Sequence, residues 1–178
     1  MGQYISDERV TRLGHQLLCV LLAAYDFPNL YRGDGDPDPL DDLRSLEDSD
    51  LSEQLVMLAA LARANDDEQK TLSAVNKVLP DGVGAVEQNG TTKMLTPREA
   101  CNKIIHAKKI SFEPDWTEEH PIWHRFNKRQ NAEMKGKYKN PRITVTGTSQ
   151  NGQNWKAEIN AINFLLSVST DYWKWNLK

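Results

Sequence analysis

Apolar side chains recur at intervals of three and four residues through much of the chain, which is the spacing of a helix that buries one face. In the first such stretch Val10, Leu13, Leu17 and Leu21 follow this spacing. We therefore predict a first helix over residues 6–25. It ends before Pro28, because a proline disfavours helical backbone at the residue that precedes it.

Two further helices are predicted in the first half of the chain. Residues 50–53, with the sequence Asp-Leu-Ser-Glu, have the form of a capping box, which predicts the start of a second helix. A third helix is predicted over residues 67–79, where Leu72 and Val75 share one face. Residues 32–50 are rich in aspartate, glycine and proline, and this composition predicts a solvated acidic loop.

The start of the fourth helix has the clearest signal in the chain. Residues 96–99 read Thr-Pro-Arg-Glu, in which the threonine caps the helix, the proline takes its first position and the glutamate completes a capping box. The helix is predicted to continue to Lys109, with Ala100 and Ile104 facing the core. Just upstream, Asn89-Gly90 favours a small hairpin.

Near the C-terminus the pattern changes to a period of two, which predicts a β-hairpin over residues 142–159. A two-residue Asn-Gly turn would divide its apolar side chains between the two faces. A loop of odd length places them on one face, so we predict a three-residue type of loop with Gly152 in the left-handed conformation. The residues that would share this face are Ile143, Val145, Trp155, Ala157 and Ile159.

These elements predict a mainly α fold, a helical bundle of about five helices with a C-terminal β-hairpin packed under the last helix. That last helix is predicted over residues 160–175. A length of 178 residues suits a single domain spanning 1–178. Between the fourth helix and the hairpin, residues 110–141 are predicted to form an irregular basic segment.

Charge is distributed unevenly along the chain, although the net charge is only −3. Residues 1–90 carry 7 basic and 17 acidic side chains, whereas residues 91–178 carry 15 and 8. This asymmetry predicts a dipolar surface or an internal contact between acidic and basic regions. Two isolated cysteines, Cys19 and Cys101, favour a reducing compartment. With no apolar run long enough to span a bilayer, we predict a cytoplasmic chain without membrane association.

Candidate chemistry lies on the fourth helix. Arg98, Asn102 and His106 follow one another at four-residue spacing, so one helix face would carry a cation, an amide and an imidazole. Such a set can bind a phosphate and move a proton, as RNA cleavage without a metal requires. The alternative interpretation is structural, with Arg98 solvated in the first turn and His106 hydrogen-bonded to a neighbouring loop.

Residues 101–106, Cys-Asn-Lys-Ile-Ile-His, resemble the helix motif of HEPN domains, compact helical bundles often found in RNA-cleaving toxins and defence systems of bacteria. That motif has an arginine, a polar residue that is often asparagine, three further residues and a histidine. Asn102 and His106 match it, whereas Cys101 stands where the family has arginine. The resemblance implies action on RNA through an Arg–His pair brought together in a homodimer. Either Arg98 substitutes from one turn upstream, or the chain is a member that does not cleave.

A second candidate site lies in the basic segment, where lysines and arginines alternate with aromatic residues. Basic and aromatic side chains together suit phosphate contacts and base stacking. The alternative is a solvated loop that docks on the acidic region. The predicted nucleic-acid-binding residues are Arg125, Lys128, Arg129, Lys135, Lys137 and Lys139.

No cofactor or metal is predicted. His120 and His124 are four residues apart, but Pro121 follows the first directly and no third ligand is identifiable. RNA and a second copy of the chain are the partners expected for a HEPN-like protein. The competing hypothesis is a non-enzymatic interaction module, such as a regulator or an antitoxin- or immunity-like protein, that binds a basic protein partner through its acidic residues 34–53.

Overall fold

The computed structural model describes residues 7–23, 41–79, 81–113, 115–118 and 138–169. Three helices come first, followed by a pair of strands, a fourth helix, five further strands and a last helix. The helices are α1 (Asp7–Ala23), α2 (Asp41–Gln69), α3 (Thr71–Val78), α4 (Pro97–Ile105) and α5 (Ala161–Ser169). The strands are β1 (Gly84–Gln88), β2 (Thr91–Leu95), β3 (Lys109–Glu113), β4 (Trp116–Thr117), β5 (Tyr138–Lys139), β6 (Arg142–Thr148) and β7 (Asn154–Asn160).

The prediction of a mainly helical bundle is wrong, because the described chain also contains a five-stranded sheet on which the helices pack. Its strand order is β2-β1-β7-β6-β3 and all of its pairings are antiparallel. The predicted C-terminal hairpin is the centre of this sheet. A lone hairpin is marginally stable in water, and β1 and β3 stabilise it by pairing with its two outer edges.

One face of the sheet meets the helices in a single core. Ile143 and Ile159 on the sheet are fully buried together with Leu17 of α1, Leu55 of α2 and Phe164 of α5. The other face is polar, where Arg142 pairs with Glu113 at 2.6 Å and lies 3.5 Å from Glu158. The fold is therefore a helical layer on one side of an antiparallel sheet, which is an α+β arrangement.

Helix boundaries in the first half differ from the predicted ones. The α2 helix already includes residues 41–50, so the predicted acidic loop is wrong over those residues, and residue 50 is not a helix start. Lys70 adopts a left-handed conformation (φ 58°) that separates α2 from α3. Asp66 stabilises this break, because its Oδ1 accepts a hydrogen bond from the Leu72 N–H at 2.8 Å. The first helix is confirmed over residues 7–23.

Both predicted hairpins are present. Asn89 and Gly90 have positive φ angles and join β1 to β2. In the central hairpin, the Gly152 N–H donates to the Ser149 carbonyl and the Ser149 N–H donates to the Gln153 carbonyl, which leaves a three-residue loop. Gly152 is left-handed, with φ 80°. The five apolar side chains predicted to share one face of this hairpin all lie on its buried face, with at most 5% exposure: Ile143, Val145, Trp155, Ala157 and Ile159.

The segment 110–141 was predicted to be irregular, and this is wrong for the residues that form β3, β4 and β5. Ile110 and Phe112 alternate with polar residues and pack against the core, so β3 completes the sheet. The short β4–β5 ladder pairs Trp116 with Lys139. Residues 119–137 lie outside the described part of the chain. In the described ranges, no helix is long and apolar enough to span a membrane.

Candidate functional site

A groove of about 690 Å³ lies between the C-terminal end of α4 and the loop that joins β6 to β7. The α4 wall carries two of the residues singled out in the sequence, and the loop wall is rich in amide and hydroxyl groups. The described residues that line it are Gln88, Asn102, Lys103, His106, Thr148, Ser149, Gln150, Asn151 and Trp155.

The start of α4 is set by the predicted capping box. The Thr96 Oγ1 accepts a hydrogen bond from the Glu99 N–H at 3.2 Å, and the Glu99 carboxylate accepts one from the Thr96 N–H at 2.9 Å. The end of the helix was not predicted correctly. It stops at Ile105, and His106 is its C-cap, with its N–H bonded to the Asn102 carbonyl at 3.2 Å. The His106 side chain is exposed at the mouth of the groove.

Arg98 does not join Asn102 and His106 in the groove. Its guanidinium pairs with the fully buried Asp66 and donates a 2.6 Å hydrogen bond to Asp67. The hydrogen bond that Arg98 donates to Asp67 raises the pKa of Arg98, and the same contact lowers the pKa of Asp67. Arg98 therefore ties α4 to the end of α2, whereas the other two residues of the predicted set line the groove.

Asn102 is held by a residue that sequence reasoning missed. Arg63 of α2 donates from Nε to the Asn102 Oδ1 at 2.9 Å, and its Nη1 pairs with Asp67. The i,i+4 spacing of Arg63 and Asp67 could have indicated their mutual pair. It could not indicate Asn102, which is 39 residues further along the chain.

Lys103 and Trp155 form the floor of the groove. The Lys103 ammonium lies 4.2 Å from the Trp155 ring centroid, a distance at which a cation is attracted by the π face. Partial burial lowers the pKa of Lys103. The ring itself is only 5% exposed. It crosses Gly147, where a Cβ atom would come within 2.3 Å of the ring, so no larger residue fits at this position without displacement.

The opposite wall is a hydrogen-bonded loop. The Gln88 amide donates to Ser149 at 3.3 Å and to the Gln153 side chain at 3.1 Å, and Asn151 also donates to Gln153 at 3.1 Å. These bonds link β1 to the β6–β7 loop and hold the loop in one conformation. The amide of Gln150 projects from this wall as an exposed group.

The charge of the groove is positive. Of its nine described lining residues, Lys103 and His106 are basic or can become cationic and none is acidic. A second, smaller depression lies around the neighbouring strand ends, where the charged lining residues are Lys108, Lys156 and Glu87. The groove thus combines the Lys103 ammonium with a set of neutral donors and acceptors, which favours an anionic ligand with polar edges.

Cys101 stands where the HEPN motif has arginine, and it lies in the core and does not line the groove. Its side chain is fully buried, and burial raises the pKa of its thiol to about 12. A thiol with this pKa is protonated at neutral pH and unreactive. An arginine at this position would bring an additional guanidinium into the core beside Arg63 and Arg98.

Most of the predicted nucleic-acid-binding residues fall outside the described part of the chain: Arg125, Lys128, Arg129, Lys135 and Lys137. Lys139 is described and lies on β5. Its ammonium donates to the Leu22 carbonyl at 2.9 Å and lies 6.0 Å from the Trp116 ring centroid. Trp116 is 48% exposed, so a lysine and an accessible aromatic ring lie together on the β4–β5 ladder.

His120 and His124 also lie outside the described residues, and among those that are described no three acidic, histidine or cysteine side chains are grouped as a metal site would require. Comparison of the chain with protein-family models, with curated proteins and with solved structures finds no match.

Proposed function

We propose that this chain is a cytoplasmic RNA-binding protein that contacts RNA through the groove between α4 and the β6–β7 loop. The observation that carries the proposal is the lining of the groove, which includes the Lys103 ammonium and the His106 imidazole and no carboxylate among the described residues. A phosphate is the anion that this arrangement suits in a polymeric ligand, and the surrounding amides suit the polar edges of bases.

The position of Arg98 supports binding rather than cleavage. In the HEPN-like hypothesis, His106 needs an arginine beside the reacting phosphate. Arg98 is engaged by Asp66 and Asp67, and Cys101 is a buried neutral thiol. His106 therefore has no arginine partner within the described part of its own groove, which favours RNA binding without cleavage over the Arg–His catalysis that the resemblance implies.

Lys103 has the main role in this proposal. Its contact with Trp155 orients the ammonium, and partial burial strengthens its attraction for an anion, because the effective dielectric constant is lower there than in water. Trp155 does not stack on a base, since its ring is already covered. Its role is to support the lysine.

The test is a fluorescence anisotropy titration of a labelled single-stranded RNA of about 12 nucleotides against wild-type protein, Lys103→Gln and His106→Ala. A hydrogen bond to a charged group contributes about 1.5–3 kcal/mol, so Lys103→Gln is expected to weaken binding by about tenfold or more. It should also reduce the slope of log affinity against log salt by about one. The matched control is Lys109→Gln, which removes the same charge from an exposed position outside the groove.

Equal affinity of Lys103→Gln and Lys109→Gln would contradict the proposal. Incubation of the same RNA with protein in EDTA separates binding from catalysis. Cleavage that disappears in His106→Ala would show that the chain is a metal-independent ribonuclease. Absence of RNA binding by the wild type would leave the non-enzymatic protein-interaction hypothesis, to be examined with a basic protein ligand.

A further inference from the structure

The orientation of the Asn102 amide follows from its contact with Arg63. The Nε–H of an arginine can only donate a hydrogen bond, so the atom that it meets at 2.9 Å must be the amide oxygen. Within the described residues, Arg63 is the one side chain bonded to the Asn102 amide. The NH₂ group of Asn102, a donor of two hydrogen bonds, is therefore the group left for a ligand in the groove.

Arg63 is itself held in place by an ion pair with Asp67. Its Nη1 pairs with the Asp67 Oδ1, and the same oxygen accepts the 2.6 Å hydrogen bond from Arg98. Arg98 is anchored in turn on Asp66, which is fully buried. Two arginines and one surface carboxylate thus link the end of α2 to the middle of α4.

We infer that Arg63 is a positioning residue that turns Asn102 into an obligatory hydrogen-bond donor of the groove. The inference rests on the proposed function and names the feature of RNA that the groove reads: a hydrogen-bond acceptor on a base edge, next to the phosphate bound by Lys103. Arg98 has a supporting part in this arrangement, because it keeps Asp67 in place beside Arg63.

A purely structural role for Arg63 makes a different prediction. If Arg63 served only to join α2 to α4, its loss would weaken RNA binding through a general loosening of α4, whether or not Asn102 was present. If Arg63 acts through Asn102, its loss should have no effect once the amide has been removed. A double-mutant cycle separates these two cases.

The variants are Arg63→Lys, Asn102→Ala and the double variant, titrated with the 12-nucleotide RNA. Arg63→Lys keeps a positive charge beside Asp67 but has no Nε–H. The loss of one hydrogen bond corresponds to about three- to tenfold weaker binding, expected for each single variant. The double variant should bind no more weakly than Asn102→Ala alone. The matched control is Arg12→Lys, since Arg12 pairs with Glu8 at the same spacing on the exposed side of α1. Its affinity should stay within twofold of wild type.

A second measurement reports the orientation without RNA. In the ¹⁵N–¹H spectrum of the free protein, the Asn102 side-chain NH₂ signals should shift in Arg63→Lys and remain unchanged in Arg12→Lys. Where Arg63→Lys does not fold, Arg63→Met, which keeps most of the aliphatic stem, takes its place in both measurements.

The outcomes are distinguishable. Multiplicative losses in the double variant, or Asn102 signals that do not respond to Arg63→Lys, would overturn the positioning role while the groove remained an RNA site. Absence of RNA binding by the wild type would overturn the proposed function, and with it the reading of a base edge. A non-additive cycle together with shifted Asn102 signals would support both the positioning role of Arg63 and the RNA-binding function of the groove.

Discussion

At the scale of single residues, Asp67 is a carboxylate that two arginines share behind the wall of the groove. One of its oxygens accepts hydrogen bonds from both Arg98 and Arg63, and these contacts lower its pKa below the ordinary value of 3.8, with Arg98 the larger cause. A carboxyl whose pKa is lower in the folded state contributes stability above its unfolded pKa. That contribution is lost as the pH falls through the folded value.

This connection predicts the titration of Asp67. We expect a carboxyl ¹³C titration to give a pKa below 3.8 in the wild type. The pKa should rise towards the ordinary value in Arg98→Met, and by less in Arg63→Met, because the Arg98 hydrogen bond is the larger cause. Thermal unfolding between pH 2 and 6 should show a smaller loss of stability on the acid side for Asp67→Asn than for wild type. A pKa of Asp67 at or above 3.8 would contradict the paired arrangement.

At the scale of elements, the start of α4 and the central hairpin agree closely with the local sequence. Both can be recognised from residues that are close together in the sequence. The capping box of α4 needs only residues 96–99, and the loop type of the hairpin follows from the parity of its strands together with Gly152. The two elements form opposite walls of the groove, so their local geometry sets its width.

The cap of α4 is open to a direct test. Thr96→Ala removes the hydroxyl that accepts the Glu99 N–H, and the loss of such a cap costs about 1 kcal/mol. Urea unfolding followed by circular dichroism should show this decrease in the free energy of unfolding. The control Thr92→Ala removes a hydroxyl from the exposed strand β2 and should change that free energy by less than about 0.5 kcal/mol. Equal effects of the two substitutions would mean that the capping bond contributes nothing to stability.

At the scale of the whole molecule, the two ends of the described chain meet. Helix α1 packs against α5, and Gly14 lies directly against Ser169. A Cβ atom at Gly14 would lie 2.2 Å from the Ser169 Cβ and 2.3 Å from its Oγ. Both helices also contribute side chains to the common core. The contact therefore joins the N-terminal helix to the helix that follows the last strand of the sheet.

The close approach reverses the usual effect of a glycine-to-alanine substitution in a helix. Alanine is ordinarily favoured over glycine by about 1 kcal/mol. At this position we expect Gly14→Ala to lower the free energy of unfolding by about 1–3 kcal/mol, since the added methyl group has no space. Ser169→Gly in the same chain should restore much of the loss by removing the opposing side chain. A Gly14→Ala variant more stable than wild type in urea unfolding would contradict the observed packing of α1 on α5.

The sequence by itself determined the features that depend on neighbouring residues: the start of α4 at its capping box, the course of α1 over residues 7–23, and a hairpin with Gly152 left-handed and five apolar residues on one face. Strand β1 was predicted only as part of a separate small hairpin, and β3 was not predicted as a strand. A five-residue alternation such as that of Ile110 and Phe112 becomes informative only beside a partner, and that partner is the central hairpin. Which residues come together beside the groove was likewise decided by contacts between segments that are distant in the sequence. Asn102 and His106 could be named from their spacing, but Arg63, Asp66 and Asp67 approach α4 from more than thirty residues away and draw Arg98 out of the predicted set. Local hydrogen-bonding preferences can be read along a chain, whereas the partners of a charged side chain are decided by which helices the core brings together.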